Sequence, residues 1–294
     1  MLRTSLVLAI AGILAFASSA QAVWVEDFST VTSGTALTDV TGWSKVSGNN
    51  STVETAAGFA DQGLREPGGN GISGGSGKYV RSLTGSEIVT AGDSSFSFVF
   101  QLFNGNGTYR DAGYVMRYEL GEAGGENAFV FTVRGNADPD TASGWDAIRD
   151  NSVDYSSGGA DVANATFNTV ASSGNYTSKW SYDLWYRIDI TNINLSTSGM
   201  GNNVTGTFTL TELGTGAGGS DIVRINAATI TATGSNAANP FDKIDYFGFT
   251  RSTTKSWEDA SDTKMDNFNL VPEPATVVLL AAGAVGALLK RRRA

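Results

Sequence analysis

Short runs of alternating residues recur along the middle of the chain, between residues 23 and 271. Apolar side chains occupy every second position in residues 96–102, 114–120, 129–133 and 186–190. Side chains of a β-strand point alternately to its two faces, so each run predicts a strand with one buried face. Glycine, asparagine, serine and aspartate separate the runs, as turns require. With no amphipathic helix between these residues, the pattern predicts an all-β sandwich or barrel with at least about ten strands.

Weaker runs complete this prediction. We expect further strands at residues 24–28, 78–83, 204–210, 222–225, 244–249 and 265–270. Residues 135–180 are rich in asparagine, serine, aspartate and glycine and show little alternation. A structureless loop of that length is unusual, so we expect a short hairpin there, around residues 165–170.

The composition of the chain limits the kinds of catalytic and metal sites that it can form. The chain has no histidine and no cysteine, which excludes Ser-His-Asp and Cys-His catalysis and metal sites built on imidazole or thiolate. Carboxylate chemistry and oxygen-ligated metals, chiefly calcium, remain. The net charge is −9, which disfavours nucleic acid and anionic membrane surfaces as partners and leaves divalent cations and neutral glycans.

The N-terminus has the three parts of a secretory signal peptide. Arg3 supplies the positive charge, residues 6–16 are apolar, and Ala20 and Ala22 offer a cleavage site of small residues. We therefore predict a signal peptide at residues 1–22 and a mature domain from residue 23 to residue 271.

The C-terminus also has three parts, at residues 272–294. Pro272, Glu273 and Pro274 precede an uncharged apolar run at residues 275–289. As a helix this run is about 22 Å long, shorter than the hydrocarbon core of roughly 30 Å. Four cations end the run, and they predict a cytoplasmic C-terminus with the mature domain outside. These cations are Lys290, Arg291, Arg292 and Arg293.

This order of parts resembles the PEP-CTERM sorting tail of exported bacterial proteins. The resemblance implies that a membrane protease, the exosortase, recognises Pro272, Glu273 and Pro274 and processes the chain near them. It also implies that the apolar helix holds the protein in the inner membrane before processing. The expected destination is the cell envelope, the outer surface or the extracellular matrix.

The mature domain resembles the concanavalin A-like and laminin G-like jelly rolls. The resemblance rests on the start of the domain at residues 26–28 and 42–43, on residues 185–190, and on its close at residues 265–270. It implies two stacked antiparallel sheets with adjacent chain ends. Lectins, laminin G-like modules and glucanases share this fold, so the fold alone does not determine function.

Glucanases of the laminarinase type carry Glu-x-Asp-x-x-Glu on one strand, and the chain has no match to this motif. Glu119 and Glu122 are the nearest acidic pair, and we expect them to be solvated charges at a turn. The chain is therefore not predicted to be an enzyme.

Binding residues are predicted for two kinds of ligand. A glycan needs aromatic faces and planar polar groups, for which Trp145, Trp257 and Arg117 are the candidates. Calcium is no required cofactor, but Asp27 and Asp266 are candidate ligands because the fold places the first and last strands side by side. The carboxylates of Asp138 and Asp140, or of Asp259 and Asp262, are the alternatives. We expect a non-catalytic module that binds glycan or associates with exopolysaccharide. A divergent carboxylate-dependent hydrolase or lyase and a purely structural matrix or adhesion protein remain the alternatives.

Overall fold

The computed structural model describes the central part of the chain, with gaps. The described residues are 24–48, 50–55, 57–66, 78–90, 92–103, 114–123, 127–135, 147–150, 160–161, 170–171, 177–178, 184–195, 204–219, 221–232, 240–253 and 262–272. The predicted signal peptide and the apolar run at residues 275–289 lie outside them. Within these ranges, no helix has the length and apolarity needed to cross a bilayer.

The described residues are almost entirely β-structure, with short 3-10 turns at Leu37–Asp39 and Gly85–Glu87. The strands are β1 Trp24–Glu26, β2 Trp43–Ser47, β3 Thr52–Glu54, β4 Gly63–Glu66, β5 Lys78–Ser82, β6 Gly92–Phe103, β7 Tyr114–Gly121, β8 Ala128–Gly135, β9 Ala147–Asp150, β10 Ala160–Asp161, β11 Val170–Ala171, β12 Thr177–Ser178, β13 Trp185–Leu195, β14 Thr205–Gly214, β15 Ile222–Thr231, β16 Tyr246–Thr253 and β17 Asp262–Pro272.

These strands form two antiparallel sheets. The larger sheet has the order β15-β14-β13-β6-β17-β4-β3, and β1 also pairs with β17. The second sheet has the order β10-β9-β8-β7-β16-β5-β2. β11 and β12 form a separate pair, so the hairpin expected around residues 165–170 begins slightly later in the chain. The prediction of an all-β sandwich is confirmed.

The core fills the space between the two sheets with aromatic and aliphatic side chains. The alternation predicted the inward faces of the long strands correctly, because the apolar residues described on β6, β7, β8 and β13 are buried. They are Phe96, Phe98, Phe100, Met116, Tyr118, Leu120, Phe129, Phe131, Val133, Tyr186, Ile188 and Ile190. Across the interface the rings of Phe98 and Tyr118 lie 4.9 Å apart, centroid to centroid. Aromatic contacts of this kind dominate core energetics.

One residue on the outer face of the larger sheet is also buried. Trp185 points away from the core, as the alternation predicts, yet it is only 3% exposed. Phe59 covers it from the loop before β4, with the two ring centroids 5.5 Å apart and the ring planes nearly perpendicular, at 78°. Val99 and Leu213 complete this small apolar cluster. The loop between β3 and β4 therefore shields the outer face of the larger sheet at Trp185.

The expected adjacency of the two ends of the domain is also present. Trp24 pairs with Leu270 and Glu26 pairs with Phe268, so the first strand lies beside the last. The last strand is interior to the sheet, because β6 runs along its other side.

Candidate functional site

Four polar side chains meet on the outer face of the second sheet, where β5, β16 and β7 run side by side. Inward-pointing Tyr118 and Leu120 place Arg117 and Glu119 on the outer face of β7. Lys78 of β5 and Tyr246 of β16 approach from the neighbouring strands. We refer to Lys78, Arg117, Glu119 and Tyr246 as the Glu119 cluster.

The carboxylate of Glu119 is the centre of this cluster. Its Oε1 lies 2.8 Å from Nε of Arg117, and its Oε2 lies 3.5 Å from Nζ of Lys78. The hydroxyl of Tyr246 donates a hydrogen bond of 3.0 Å to the same Oε2. Burial, and then the negative charge of Glu119, raise the pKa of Tyr246 well above its ordinary value. The hydroxyl therefore keeps its proton and remains a donor to the carboxylate.

Exposure divides the Glu119 cluster into an inner and an outer part. Glu119 is 7% exposed and Tyr246 is 5% exposed. The side chains of Arg117 and Lys78 keep 21% and 35% of their surface. The acidic and phenolic groups thus support two cations that reach towards solvent.

A glycine without a side chain lies beside this cluster. In β16, Gly248 lies between Glu119 of β7 and Val80 of β5. A Cβ at this position would lie 3.4 Å from the Tyr246 ring and 3.8 Å from Cβ of Glu119. Any side chain longer than alanine would stand over the cluster, and glycine keeps this part of the face free.

The structure corrects the expectation that Glu119 and Glu122 are solvated turn charges. β7 continues to Gly121, so Glu119 lies inside a strand and is buried among partners. Glu122 follows the strand, where it accepts hydrogen bonds from the Asn127 amide at 2.7 Å and the Asp242 backbone N–H at 3.1 Å. Both carboxylates are engaged. Glu119 has partners on two nearby strands, and Glu122 has the nearby Asn127 and the distant Asp242.

The structure places the two predicted calcium ligands near each other without joining them. Oδ2 of Asp266 accepts the backbone N–H of Phe59 at 2.9 Å, and Oδ1 accepts that of Asn267 at 2.8 Å. Asp27 follows directly after β1 and accepts two hydrogen bonds from Ser29, which lower its pKa. Across the described ranges, acidic residues form no group of three that could hold a metal ion. Calcium at Asp27 and Asp266 stays a prediction.

The buried carboxyl of Asp266 has an unusual acidity. Burial raises its pKa from 3.8 to about 7, although the two amide hydrogen bonds act in the opposite direction. The negative charges of Asp61 and Asp27 add to the rise. The Asp266 carboxyl thus holds the loop at Phe59 by a hydrogen bond, although its burial disfavours its own ionised form.

Of the predicted glycan-binding residues, only Arg117 lies in the described structure, and it belongs to the Glu119 cluster. Trp145 and Trp257 lie outside the described residues. Sequence reasoning missed Lys78, Glu119 and Tyr246 as companions of Arg117. The phase of the alternation gave their outward direction, but the pairing of three strands distant in sequence was needed to bring them together.

Pro272, the first residue of the predicted sorting motif, is the last residue of β17 and pairs with Ser94 of β6. Glu273, Pro274 and the basic residues Lys290, Arg291, Arg292 and Arg293 lie outside the described residues.

Residues 270–293 match the family model of the PEP-CTERM protein-sorting motif. The chain carries a PEP-CTERM sorting signal. This signal marks proteins that are exported and sorted by an exosortase to the cell surface or the extracellular space.

Comparisons with other proteins find weak similarity to solved β-rich structures. A carbohydrate esterase from the Shiga toxin-encoding bacteriophage phi24B is 11% identical with a TM-score of 0.45, over 86% of this chain and 99% of that chain. A GH131 β-glucanase catalytic domain from Podospora anserina is 12% identical with a TM-score of 0.45, over 85% and 95%. Peanut lectin is 11% identical with a TM-score of 0.42, over 79% and 92%. No curated protein matches the chain. At these levels of similarity the comparisons assign no activity.

Proposed function

We propose that the mature domain is a non-catalytic glycan-binding module of the cell envelope, and that the Glu119 cluster is its binding site. The observation that carries the proposal is the arrangement of Arg117 and Lys78 over a buried carboxylate on the outer face of the second sheet. The guanidinium is planar and presents donors in a fixed fork, which suits pairs of adjacent sugar hydroxyls. The Lys78 ammonium adds a second donor beside it.

Glu119 and Tyr246 act in this site as positioning residues. The carboxylate holds Arg117 through Nε, and Tyr246 holds the carboxylate in turn. A side chain fixed in this way loses little conformational entropy when it binds a ligand. Gly248 places no side chain beside the cluster that would compete with a ligand.

Chemistry favours binding without turnover. Glycoside hydrolysis uses two carboxyl groups at about 5 Å for retention or 6.5–9.5 Å for inversion. The Glu119 cluster contributes one carboxylate, and two cations and a hydroxyl already engage it. The absence of histidine and cysteine from the chain removes the common alternatives.

The proposal also covers the fold family of the domain and the two ends of the chain. We assign the domain to the concanavalin A-like jelly rolls, with residues 1–22 as a signal peptide and residues 275–289 as a short membrane helix. Trp145 and Trp257 remain our candidates for aromatic contacts with the glycan.

Binding to the host's exopolysaccharide tests the proposal. Arg117→Lys keeps the charge but removes the planar fork, and Tyr246→Phe removes the hydroxyl that holds Glu119. We expect both variants of the mature protein to bind the polymer more weakly in sedimentation or calorimetry. Arg187→Lys is the matched control, since Arg187 pairs with Asp189 at the same spacing on the outer face of the other sheet. Equal binding by the wild type and all three variants would rule out the Glu119 cluster as the binding site. Absence of binding by the wild type would rule out the proposed function.

A further inference from the structure

A row of residues that are paired from strand to strand crosses the second sheet through the Glu119 cluster. Residues directly opposite each other on paired strands share one face of the sheet. Arg117 lies opposite Thr250 of β16, which lies opposite Lys78 of β5. On its other side Arg117 lies opposite Thr132 of β8, which lies opposite Arg149 of β9. We refer to these five residues, all on the outer face, as the basic row.

Basic and hydroxyl residues alternate along the basic row. Neighbouring strands are about 4.8 Å apart, and each cation is two strands from the next, so the Cα atoms of successive cations are about 10 Å apart. Thr250 and Thr132 occupy the positions between them. Asp161 of β10 lies opposite Arg149 and ends the positive part of the row. The outer face therefore presents a basic residue on every second strand from β5 to β9.

The Glu119 cluster, at the centre of the basic row, has more positive than negative charge. Lys78 and Arg117 supply two positive charges against the one negative charge of Glu119, and Tyr246 keeps its proton. The carboxylate is buried, whereas both cations keep part of their surface. An anionic group that arrives from solvent therefore meets the cations first. The negative charge elsewhere on the chain is screened beyond roughly 8–10 Å.

The geometry of the basic row matches that of an extended polysaccharide. One sugar ring lengthens such a chain by about the distance between two neighbouring strands, so two sugars span the distance between successive cations. A carboxylate on every second sugar would then have a cation opposite it, and the sugars between would lie over the threonine positions. Arginine is well suited to this role because its guanidinium can bind a carboxylate through two parallel hydrogen bonds.

We propose that the basic row binds a linear acidic glycan with a carboxylate on every second sugar, and that this glycan lies across the strands. The inference rests on the proposed function of the Glu119 cluster and adds the chemical class of the glycan. The net charge of the chain favours neutral glycans, but the local charge at the row favours acidic ones.

Hyaluronan, which has a carboxylate on alternate sugars, tests the inference together with the same polymer after reduction of its carboxylates to hydroxyl groups. In calorimetry we expect the mature protein to bind hyaluronan about tenfold more tightly than the reduced polymer. Added salt should remove this preference. Equal affinity for the two polymers, or binding of neither, would overturn the inference. The assay with exopolysaccharide decides the proposed function independently, because that assay requires no acidic group in the polymer.

Substitution of Arg149 tests the basic row outside the Glu119 cluster. We expect Arg149→Gln to weaken hyaluronan binding by up to about fivefold, as for the loss of an exposed ion pair, and to leave binding of the reduced polymer unchanged. Lys78→Gln, at the other end of the row, should do the same. Arg187→Gln is the matched control, since Arg187 lies on the outer face of the other sheet. Equal hyaluronan affinities of all three variants would refute the role of the basic row.

Discussion

The indole of Trp24 stacks on the ring of Phe268, with centroids 5.6 Å apart and 19° between the planes. One residue opens the domain and the other closes it. Phe28 and Trp43 pack against the same Phe268 ring at 6.2 and 6.0 Å. The segments that carry the resemblance to jelly rolls at residues 26–28, 42–43 and 265–270 therefore meet in one aromatic cluster. Their shared physical role is to join the two ends of the domain.

Phe268→Ala should lower the free energy of unfolding by about 3–5 kcal/mol, as expected for a large buried aromatic. Urea unfolding followed by tryptophan fluorescence measures the change. Val25→Ala, on the exposed side of β1, is the control and should stay within about 0.5 kcal/mol of wild type. A loss below about 1 kcal/mol for Phe268→Ala would contradict the role of the aromatic cluster.

Gly42→Ala should be more destabilising than Gly34→Ala. Both glycines have positive φ, at +84° and +89°, so both substitutions carry backbone strain. Only at Gly42 would the new Cβ collide with the guanidinium of Arg81. That guanidinium is buried over the Trp24 ring at 5.7 Å and pairs with Glu87 at 2.7 Å, so it cannot move freely. We expect a difference of roughly 1–3 kcal/mol in unfolding free energy, and equal effects would contradict the clash.

Asp266 should make the protein less stable as pH rises from about 4 to 7. Its pKa is higher in the folded chain, about 7, than the ordinary 3.8. The folded state therefore binds the extra proton, and this contribution to stability is complete below the lower value and lost through the higher one. Asp266→Asn should remove a decline on the order of 3 kcal/mol. Unfolding free energies of both proteins at a series of pH values measure it.

The control for this pH effect has the opposite sign. Hydrogen bonds from Ser29 lower the pKa of Asp27, so its contribution is present above the ordinary value and lost as pH falls. Asp27→Asn should leave most of the decline between pH 4 and 7 in place, because burial is the largest cause of the raised pKa of Asp266 and the charge of Asp27 is the smallest. The same decline in Asp266→Asn would show that another group causes it.

Purified mature protein should release no reducing ends from β-glucans or from the host's exopolysaccharide, with calcium present. The physical reason is that the Glu119 cluster contains one carboxylate, which is held by two cations, and no second carboxyl group. Reproducible hydrolysis that Glu119→Gln abolishes would overturn the non-catalytic proposal.

The sequence predicted the long strands well because each buries one face. In β6, Phe96, Phe98 and Phe100 mark the inner face without any tertiary information. β2 escaped prediction because only Trp43 is buried in it and the following residues are exposed. β3 and β4 are short and bring one buried aliphatic side chain each, Val53 and Leu64, so their alternation has little statistical weight.

The candidate site was less predictable than the fold. Alternation placed Arg117 on the outer face, but it could not show that Lys78 and Tyr246 lie beside Glu119. That neighbourhood depends on which strands pair and in what register, and register between distant strands leaves no local pattern. The same holds for Asp266, whose acidity depends on a loop more than two hundred residues earlier in the chain.

The pairing of β1 with β17 also governs how the protein reaches its folded state. Trp24 can pair with Leu270 only after almost the whole chain has been synthesised. Because such pairs are far apart in sequence, the domain has a high contact order. Sandwiches with such long-range pairings fold in roughly milliseconds to seconds. During that time the incomplete sheets present open edges that could join another copy. The net charge of −9 sets up mutual repulsion between copies, and so gives each exported chain time to close its own sheet.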